Sequence, residues 1–167
     1  MEGKMMLAAV LAAALSAAGG ERIPYFNGDI EAALDRADAA HRLVVVSLGR
    51  EVCGRCQKFY GLLAADRIVL DGTKCDYLKL NVDEMEQREY FMSWFVPSDS
   101  RLPFVGVLDP NARTGTCLTA ACEVPALKGL LGPLARFEPA AVCTGAASNA
   151  CPASASCTGG ACTVRPK

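Results

Sequence analysis

The sequence predicts a mixed α/β fold in which helices flank a central sheet. Leu43 to Leu48 is an unbroken apolar run rich in valine, which is typical of a strand covered on both faces in a parallel or mixed sheet. Strand-like segments alternate with segments of helical periodicity along the chain, in the order β-α-β-α-β-α-β-β-α. With 167 residues, the chain is long enough for one domain with its own hydrophobic core.

The elements before the apolar run are a short strand and a helix. Ile23 to Phe26 predicts an edge strand. Asn27 or Asp29 can begin the helix, because a side-chain oxygen at this position accepts a hydrogen bond from an unpaired backbone N–H. We expect the helix to end before Arg42, and its apolar residues recur at helical spacing: Ile30, Ala33, Leu34 and Ala37.

A helix with two cysteines follows the apolar run. It contains the CxxC segment Cys53-Gly54-Arg55-Cys56, and its apolar residues Phe59, Leu62 and Leu63 are expected to face the core. Ile68 to Leu70 precede an Asp-Gly pair, so we expect the end of this helix or a loop there.

The next elements are a strand, a helix and a second strand. Tyr77 to Val82 alternates in the manner of a strand. Asp83 and Glu86 resemble a capping box, which predicts a helix that extends to about Phe95. Phe104 to Leu108 is the following strand.

A turn, a returning strand and a last helix complete the order. Asp109 to Ala112 predicts a turn, since proline suits its second position. Thr116 to Thr119 predicts the hairpin partner of the preceding strand, and Pro125 to Arg136 predicts the last helix.

The start of the sequence predicts a secretory signal peptide. Charged residues precede an apolar run from Met5 to Leu15, and small residues follow it. We expect cleavage after Ala18, with a signal peptide over 1–18, a domain over 21–137 and a tail over 138–167. The apolar run is shorter than a membrane span requires, so a retained anchor is the less favoured alternative. The protein is therefore expected in the periplasm or outside the cell.

Nine cysteines are typical of an oxidising compartment. If the CxxC cysteines pair with each other, an odd number remains, so at least one is free or joins another chain in a disulfide-linked dimer. We expect Cys117 and Cys122 to form a stabilising pair, while Cys75 either pairs with the tail or stays free. The tail lacks large apolar side chains, so its cysteines must staple it internally or to the domain: Cys143, Cys151, Cys157 and Cys162.

Charge and histidine content disfavour several functions. The formal net charge of -1 disfavours nucleic acids and acidic membrane surfaces as partners. His41 is the only histidine and lies in a polar turn, so we expect no copper or other metal site.

The position of the cysteine pair predicts thiol chemistry. Cys53 lies where the strand passes into the helix, and the unpaired N–H groups and partial positive charge of a helix start favour a thiolate there. Cys53 is therefore the predicted nucleophile. Cys56 lies about one turn further along, where it can form a disulfide with Cys53 or release a substrate by attacking it. Such a pair transfers two electrons without a cofactor.

Three segments resemble the thioredoxin superfamily. They are the CxxC after a buried strand, Leu80 to Asp83 on the next strand, and Leu102 to Phe104 before a third. The resemblance covers roughly residues 27–136 and is closest to exported thioredoxin-like disulfide oxidoreductases. It implies a thioredoxin-like fold, in which Pro103 is cis and packs beside the CxxC.

The resemblance also implies how a substrate binds. An extended substrate segment would pair with the backbone at Leu102 as an added strand, which holds its cysteine near Cys53. The partners would be exported proteins that carry thiols or disulfides.

Several residues depart from the family's pattern. Ser47 stands where thioredoxins carry a buried acid, so it cannot act as a carboxylate base, and we expect it to bond a neighbouring carbonyl. Val52 and Gly49 stand where tryptophans are usual, which leaves a smaller apolar collar around the cysteines.

Gly54 and Arg55, the residues between the cysteines, are expected to tune the pair. Arg55 is a permanent cation, and with Arg50 and Lys58 nearby in sequence it favours the Cys53 thiolate. Stabilising the reduced form makes the disulfide a stronger oxidant, as the comparison of thioredoxin with the periplasmic oxidase shows.

We therefore expect a thiol:disulfide oxidoreductase that acts as an oxidase or isomerase. One alternative is a non-catalytic binding module with the same fold, in which the CxxC disulfide is structural. A second is an electron-relay domain that serves a membrane reductase or cytochrome maturation.

Overall fold

The computed structural model describes residues 23–138, 160–161 and 163–164. The helices in this part are α1 (Ile30–Ala39), α2 (Gly54–Ala64), α3 (Met85–Trp94) and α4 (Val124–Leu131). The strands are β1 (Tyr25–Asn27), β2 (Leu43–Gly49), β3 (Ile68–Leu70), β4 (Cys75–Asn81), β5 (Phe95–Val96), β6 (Phe104–Asp109), β7 (Thr114–Thr119), β8 (Ala135–Phe137), β9 (Gly160–Ala161) and β10 (Thr163–Val164).

The central sheet of the described chain has the strand order β1-β4-β2-β6-β7-β9. Strand β2 lies in its middle, parallel to β4 and antiparallel to β6. Strand β1 joins the outer side of β4 in parallel, and β6 and β7 form an antiparallel hairpin. The predicted mixed α/β class is confirmed.

Hydrophobic clusters pack on both faces of β2. Val44, Val46 and Leu48 belong to one cluster with residues of α1 and α3, whereas Val45 belongs to another with residues of α2 and α4. This alternation follows from strand geometry, because successive side chains point to opposite faces. Burial on both faces explains why the sequence of β2 is apolar without interruption.

The register of the sheet brings the predicted site residues to one edge. Gly49 at the end of β2 pairs with Asn81 at the end of β4, and Phe104 at the start of β6 pairs with Leu48. The CxxC follows Gly49, and Pro103 directly precedes Phe104. Both segments therefore lie at the same edge of the sheet.

The two predicted helix starts have different outcomes. Asp29 caps α1 as predicted, since its carboxylate accepts a hydrogen bond from the Ala32 N–H at 3.1 Å. The predicted cap at Asp83 is wrong, because the residue before α3 is Glu84, which makes no side-chain capping bond. The Asp83 carboxylate instead binds the Arg50 guanidinium, which a local pattern cannot reveal.

The loop expected at Ile68 to Leu70 is a strand, so that prediction is wrong. This segment is β3, which pairs antiparallel with β8. The last helix does not reach Arg136 as expected, since α4 ends at Leu131. Gly132 at the C-cap still has helical backbone angles, φ -49° and ψ -42°, but Pro133 after it has no N–H to continue the helical hydrogen bonds, so the chain leaves the helix and continues as β8.

Parts of the tail pair with the domain. Strand β9 pairs antiparallel with β7, and β10 pairs antiparallel with β5. The predicted signal peptide and the cysteines Cys143, Cys151, Cys157 and Cys162 lie outside the described residues. In the described part of the chain, no helix combines the length and the apolar character that crossing a bilayer requires.

The cysteines of the domain divide into bonded and free groups. Cys117 and Cys122 are disulfide-bonded, and their pairing with each other stays a prediction. Cys75 is a buried free thiol at the start of β4, which settles the alternatives left open for it.

Candidate active site

Cys53 lies at the N-terminus of α2, at the end of the connection from β2 to this helix. It is the N-cap residue, and its Sγ accepts a hydrogen bond from the Cys56 backbone N–H at 3.3 Å. Its side chain is partly exposed and unoxidised. The positive end of the helix and a backbone donor therefore both point at this sulfur.

Cys56 is in the opposite environment. It is completely buried, and burial together with its hydrogen bond to Cys53 raises the pKa of the Cys56 thiol to about 12. Cys56 therefore keeps its proton while Cys53 accepts hydrogen bonds. The pair therefore has one partly exposed sulfur and a second, buried sulfur behind it.

The Leu102–Pro103 peptide bond is cis, the geometry that the resemblance implied. Two backbone hydrogen bonds from the residues that follow β7 hold this segment. The Ala120 N–H donates to the Arg101 carbonyl at 2.9 Å, and the Ala121 N–H donates to the Pro103 carbonyl at 3.0 Å. Among the described residues, no backbone hydrogen bond involves Leu102. The predicted role of Leu102 in pairing with an incoming strand stays a prediction.

An ion pair that sequence reasoning missed fixes the loop before Leu102. The Asp99 carboxylate accepts hydrogen bonds from the Arg101 side chain at 2.6 Å and from the Arg101 backbone at 2.8 Å. Thr119 on β7 donates to the same carboxylate at 3.2 Å. The Arg101 guanidinium lowers the pKa of Asp99 to about 2, so the carboxylate stays ionised in ordinary buffers.

The cations predicted near the thiols have different surroundings. Arg50 binds Asp83 with two donor atoms, the shortest contact being 2.6 Å, and its charge also interacts with Cys53 and Cys56. Its pKa is raised, chiefly by Asp83.

Lys58 pairs with Glu123 at 2.6 Å. Gly54 and Arg55 are exposed at the start of α2, and their tuning role stays a prediction.

Behind the cysteines lies a group of hydroxyls that the sequence did not reveal. Ser47 is fully buried and hydrogen-bonds the Tyr77 hydroxyl at 2.8 Å, so the expected bond to a carbonyl is wrong. A β-carbon on Gly49 would stand 3.2 Å from Cys56 Sγ and closer still to the Tyr60 hydroxyl. The absence of a side chain at Gly49 is what allows this sulfur and this phenol to share one space.

A polar cavity of about 230 Å³ adjoins the same space. Gly49, Arg50 and Tyr60 line it, together with Lys79 and Asn81 of β4. The Lys79 ammonium lies 4.7 Å from the centroid of the Tyr60 ring. The cavity therefore borders Gly49 and Tyr60, the residues that adjoin the Cys56 sulfur.

No protein-family model matches the chain, and no curated protein gives a significant match. The solved structure of a thioredoxin from Trichomonas vaginalis is similar, with 23% sequence identity and a TM-score of 0.44 over 65% of this chain and 93% of that chain. The order β1-β4-β2-β6-β7, helices on both faces and a CxxC at the start of α2 make the fold of this chain thioredoxin-like, as the sequence predicted.

Proposed function

We propose that this thioredoxin-like chain is a thiol:disulfide oxidoreductase that exchanges disulfides with exported proteins through Cys53 and Cys56. The fold supports thiol–disulfide chemistry in general. The observation that carries the proposal is the asymmetry of the pair, with Cys53 partly exposed at the N-cap of α2 and Cys56 buried beside it. An exchange reaction needs one reachable sulfur and one sulfur reserved for the second step.

In the oxidising direction the reaction starts from a Cys53–Cys56 disulfide. A substrate thiolate attacks Cys53 Sγ, the bond between the two cysteines breaks, and Cys56 leaves as a thiolate that takes a proton from solvent. A second substrate thiolate then attacks the substrate sulfur bound to Cys53, which forms the substrate disulfide and releases the Cys53 thiolate. Two electrons pass from the substrate to the pair, so no cofactor is needed.

Two features favour oxidation or isomerisation over reduction. Ser47, which holds the position behind the pair, is bonded to Tyr77 and cannot serve as a carboxylate base for Cys56. Positive charge near the thiols comes from Arg50, with Arg55 on the first turn of α2 as a second cation. The lack of a base slows the attack by Cys56 that reduction of a substrate requires, and the positive charge stabilises the reduced pair relative to its disulfide, which makes the disulfide more oxidising.

The substrate would bind along the segment of Leu102 and Pro103. An extended peptide can use the Leu102 main chain as the edge of a sheet, and such pairing depends little on side chains. Val52 is 84% exposed directly before Cys53, so an apolar side chain meets the substrate there. The expected substrates are therefore many exported proteins rather than one.

Export is part of this proposal. The support is the apolar leader at the start of the sequence and the nine cysteines, which suit an oxidising compartment such as the periplasm or the extracellular space.

Trapping of mixed disulfides tests the proposal. In Cys56→Ser, a mixed disulfide at Cys53 has no internal thiol to release it, so incubation with a reduced exported protein and a mild oxidant should give covalent complexes that a reductant dissolves. Cys53→Ser is the matched control and should give none. If Cys56→Ser yields no more complex than this control, the CxxC is structural and the chain is a binding module.

A further inference from the structure

We propose that the Tyr60 hydroxyl donates a hydrogen bond to the Cys56 sulfur when that sulfur ionises during disulfide exchange. The inference rests on the proposed function and assigns a residue to the steps in which Cys56 is a thiolate, when it leaves the disulfide during oxidation or attacks a mixed disulfide in the reverse direction. Tyr60 lies four residues after Cys56 in α2, so both side chains lie on the same face of the helix.

Geometry places the phenol beside the sulfur. The point where a β-carbon on Gly49 would stand is 3.2 Å from Cys56 Sγ, and the Tyr60 hydroxyl lies closer to that point. Both atoms therefore occupy the small space left above Gly49. The Tyr60 ring is held in place by Phe59, whose ring centroid lies 5.7 Å away, and by the Lys79 ammonium.

The hydroxyl is buried and has no hydrogen-bond partner of normal geometry within the described residues. Ser47 lies near enough to oppose the rise in the pKa of Tyr60, but its own hydroxyl is bonded to Tyr77. Burial, followed by the neighbouring Cys56, raises the pKa of Tyr60 to about 12. The phenol therefore keeps its proton, and its hydroxyl makes no well-formed hydrogen bond to Ser47 or to another described residue.

A Cys56 thiolate would supply an acceptor. Burying an unpaired hydroxyl costs stability, and the cost is recovered when an anion forms beside it. Burial makes the thiol of Cys56 hard to ionise. A nearby hydrogen-bond donor that stabilises the thiolate therefore assists the step in which Cys56 ionises. The Lys79 ammonium over the ring adds positive charge and strengthens the phenol as a donor.

The step itself balances within the pair and its substrate. Cys56 loses its proton to solvent and its Sγ attacks Cys53 Sγ of a mixed disulfide. The bond between Cys53 and the substrate sulfur breaks, the Cys53–Cys56 disulfide forms, and the substrate leaves as a thiolate that takes up a proton. Cys56 is oxidised and the substrate sulfur is reduced.

Stopped-flow reaction of the reduced protein with a stoichiometric amount of an aromatic disulfide, dithionitrobenzoate, separates the two steps. Attack by Cys53 releases the first coloured thiolate at a rate that depends on reagent concentration. Attack by Cys56 then releases the second at a rate that does not. Tyr60→Phe removes only the hydroxyl, and Tyr90→Phe is the matched control because Tyr90 carries a buried hydroxyl on α3.

We expect Tyr60→Phe to slow the second phase by about 10-fold, equivalent to about 1.4 kcal/mol, and to leave the first phase unchanged. It should unfold at the same temperature as the parent or higher, because it loses an unpaired buried group. Tyr90→Phe should alter neither phase.

Two outcomes would contradict the reasoning, and each would contradict a different part of it. A second phase in Tyr60→Phe within about twofold of the parent, or a first phase slowed as much as the second, overturns the role of Tyr60. A first phase in the parent protein no faster than that of an ordinary thiol instead overturns the proposed function.

Discussion

Adding one methyl group at Gly49 should destabilise the protein and disturb the rear of the cysteine pair. Gly49 ends β2, and its substitution by alanine places a β-carbon 3.2 Å from Cys56 Sγ and closer to the Tyr60 hydroxyl. Contacts this short force neighbours to move. The sulfur is fully buried and the phenol is packed on Phe59, so neither can turn away freely.

The magnitude follows from overpacking, which typically costs about 1–3 kcal/mol in a well-packed interior. Gly61→Ala is the matched control, because Gly61 lies inside α2 with no atom within 4 Å of an added β-carbon. Alanine there should stabilise the helix by about 0.5–1 kcal/mol, since glycine is the poorer helix former.

Urea unfolding followed by circular dichroism measures both effects. The midpoint should fall for Gly49→Ala and rise for Gly61→Ala. If Gly49→Ala unfolds at the same urea concentration as the parent or higher, the space above Gly49 is not filled as described, and the placement of Tyr60 beside Cys56 fails with it.

Two further predictions concern the groups that support the site. Replacing Ser47 by Ala or Tyr77 by Phe leaves a buried hydroxyl without its partner, so each change should lower the free energy of unfolding by about 1–3 kcal/mol. The double variant should lose less than the sum of the two single losses, because both changes remove the same bond. Strict additivity of the losses in urea melts would contradict the bond. Folding lowers the pKa of Asp99 to about 2, so its contribution to stability is present above its ordinary value of 3.8 and is lost as the pH falls toward 2. Acid unfolding of Asp99→Asn should therefore be less steep between these pH values than that of the parent, and identical curves would show that the ion pair with Arg101 does not support the fold.

The central strand and the cysteine helix could be predicted because their signals are local. The apolar run of β2 and the CxxC at the start of α2 each consist of neighbouring residues in the sequence. An uninterrupted apolar run of this length is typical of a strand that is buried on both faces. The cap at Asp29 was predictable for the same reason. These features place both cysteines at the correct edge of the sheet.

The features that were missed depend on contacts between distant residues. Strand β3 exists because β8 pairs with it, and neither segment has a strong pattern of its own. The partner of Asp83 is Arg50, and three elements, α2, β3 and β4, separate the two residues in the chain. Tyr60 is a partial exception, since its spacing of four residues from Cys56 was visible, but the free space above Gly49 that makes this spacing meaningful was not.

The measurement that tests the account most directly is the alkylation rate of Cys53 in the folded, reduced protein at pH 7. Iodoacetamide labelling followed by mass spectrometry reports Cys53 and Cys56 separately in one sample. The account predicts that Cys53 reacts at least about 10-fold faster than a small free thiol, since a thiolate is the reactive form, and that Cys56 is protected. Labelling of Cys53 no faster than the free thiol, or no faster than Cys56, would contradict it.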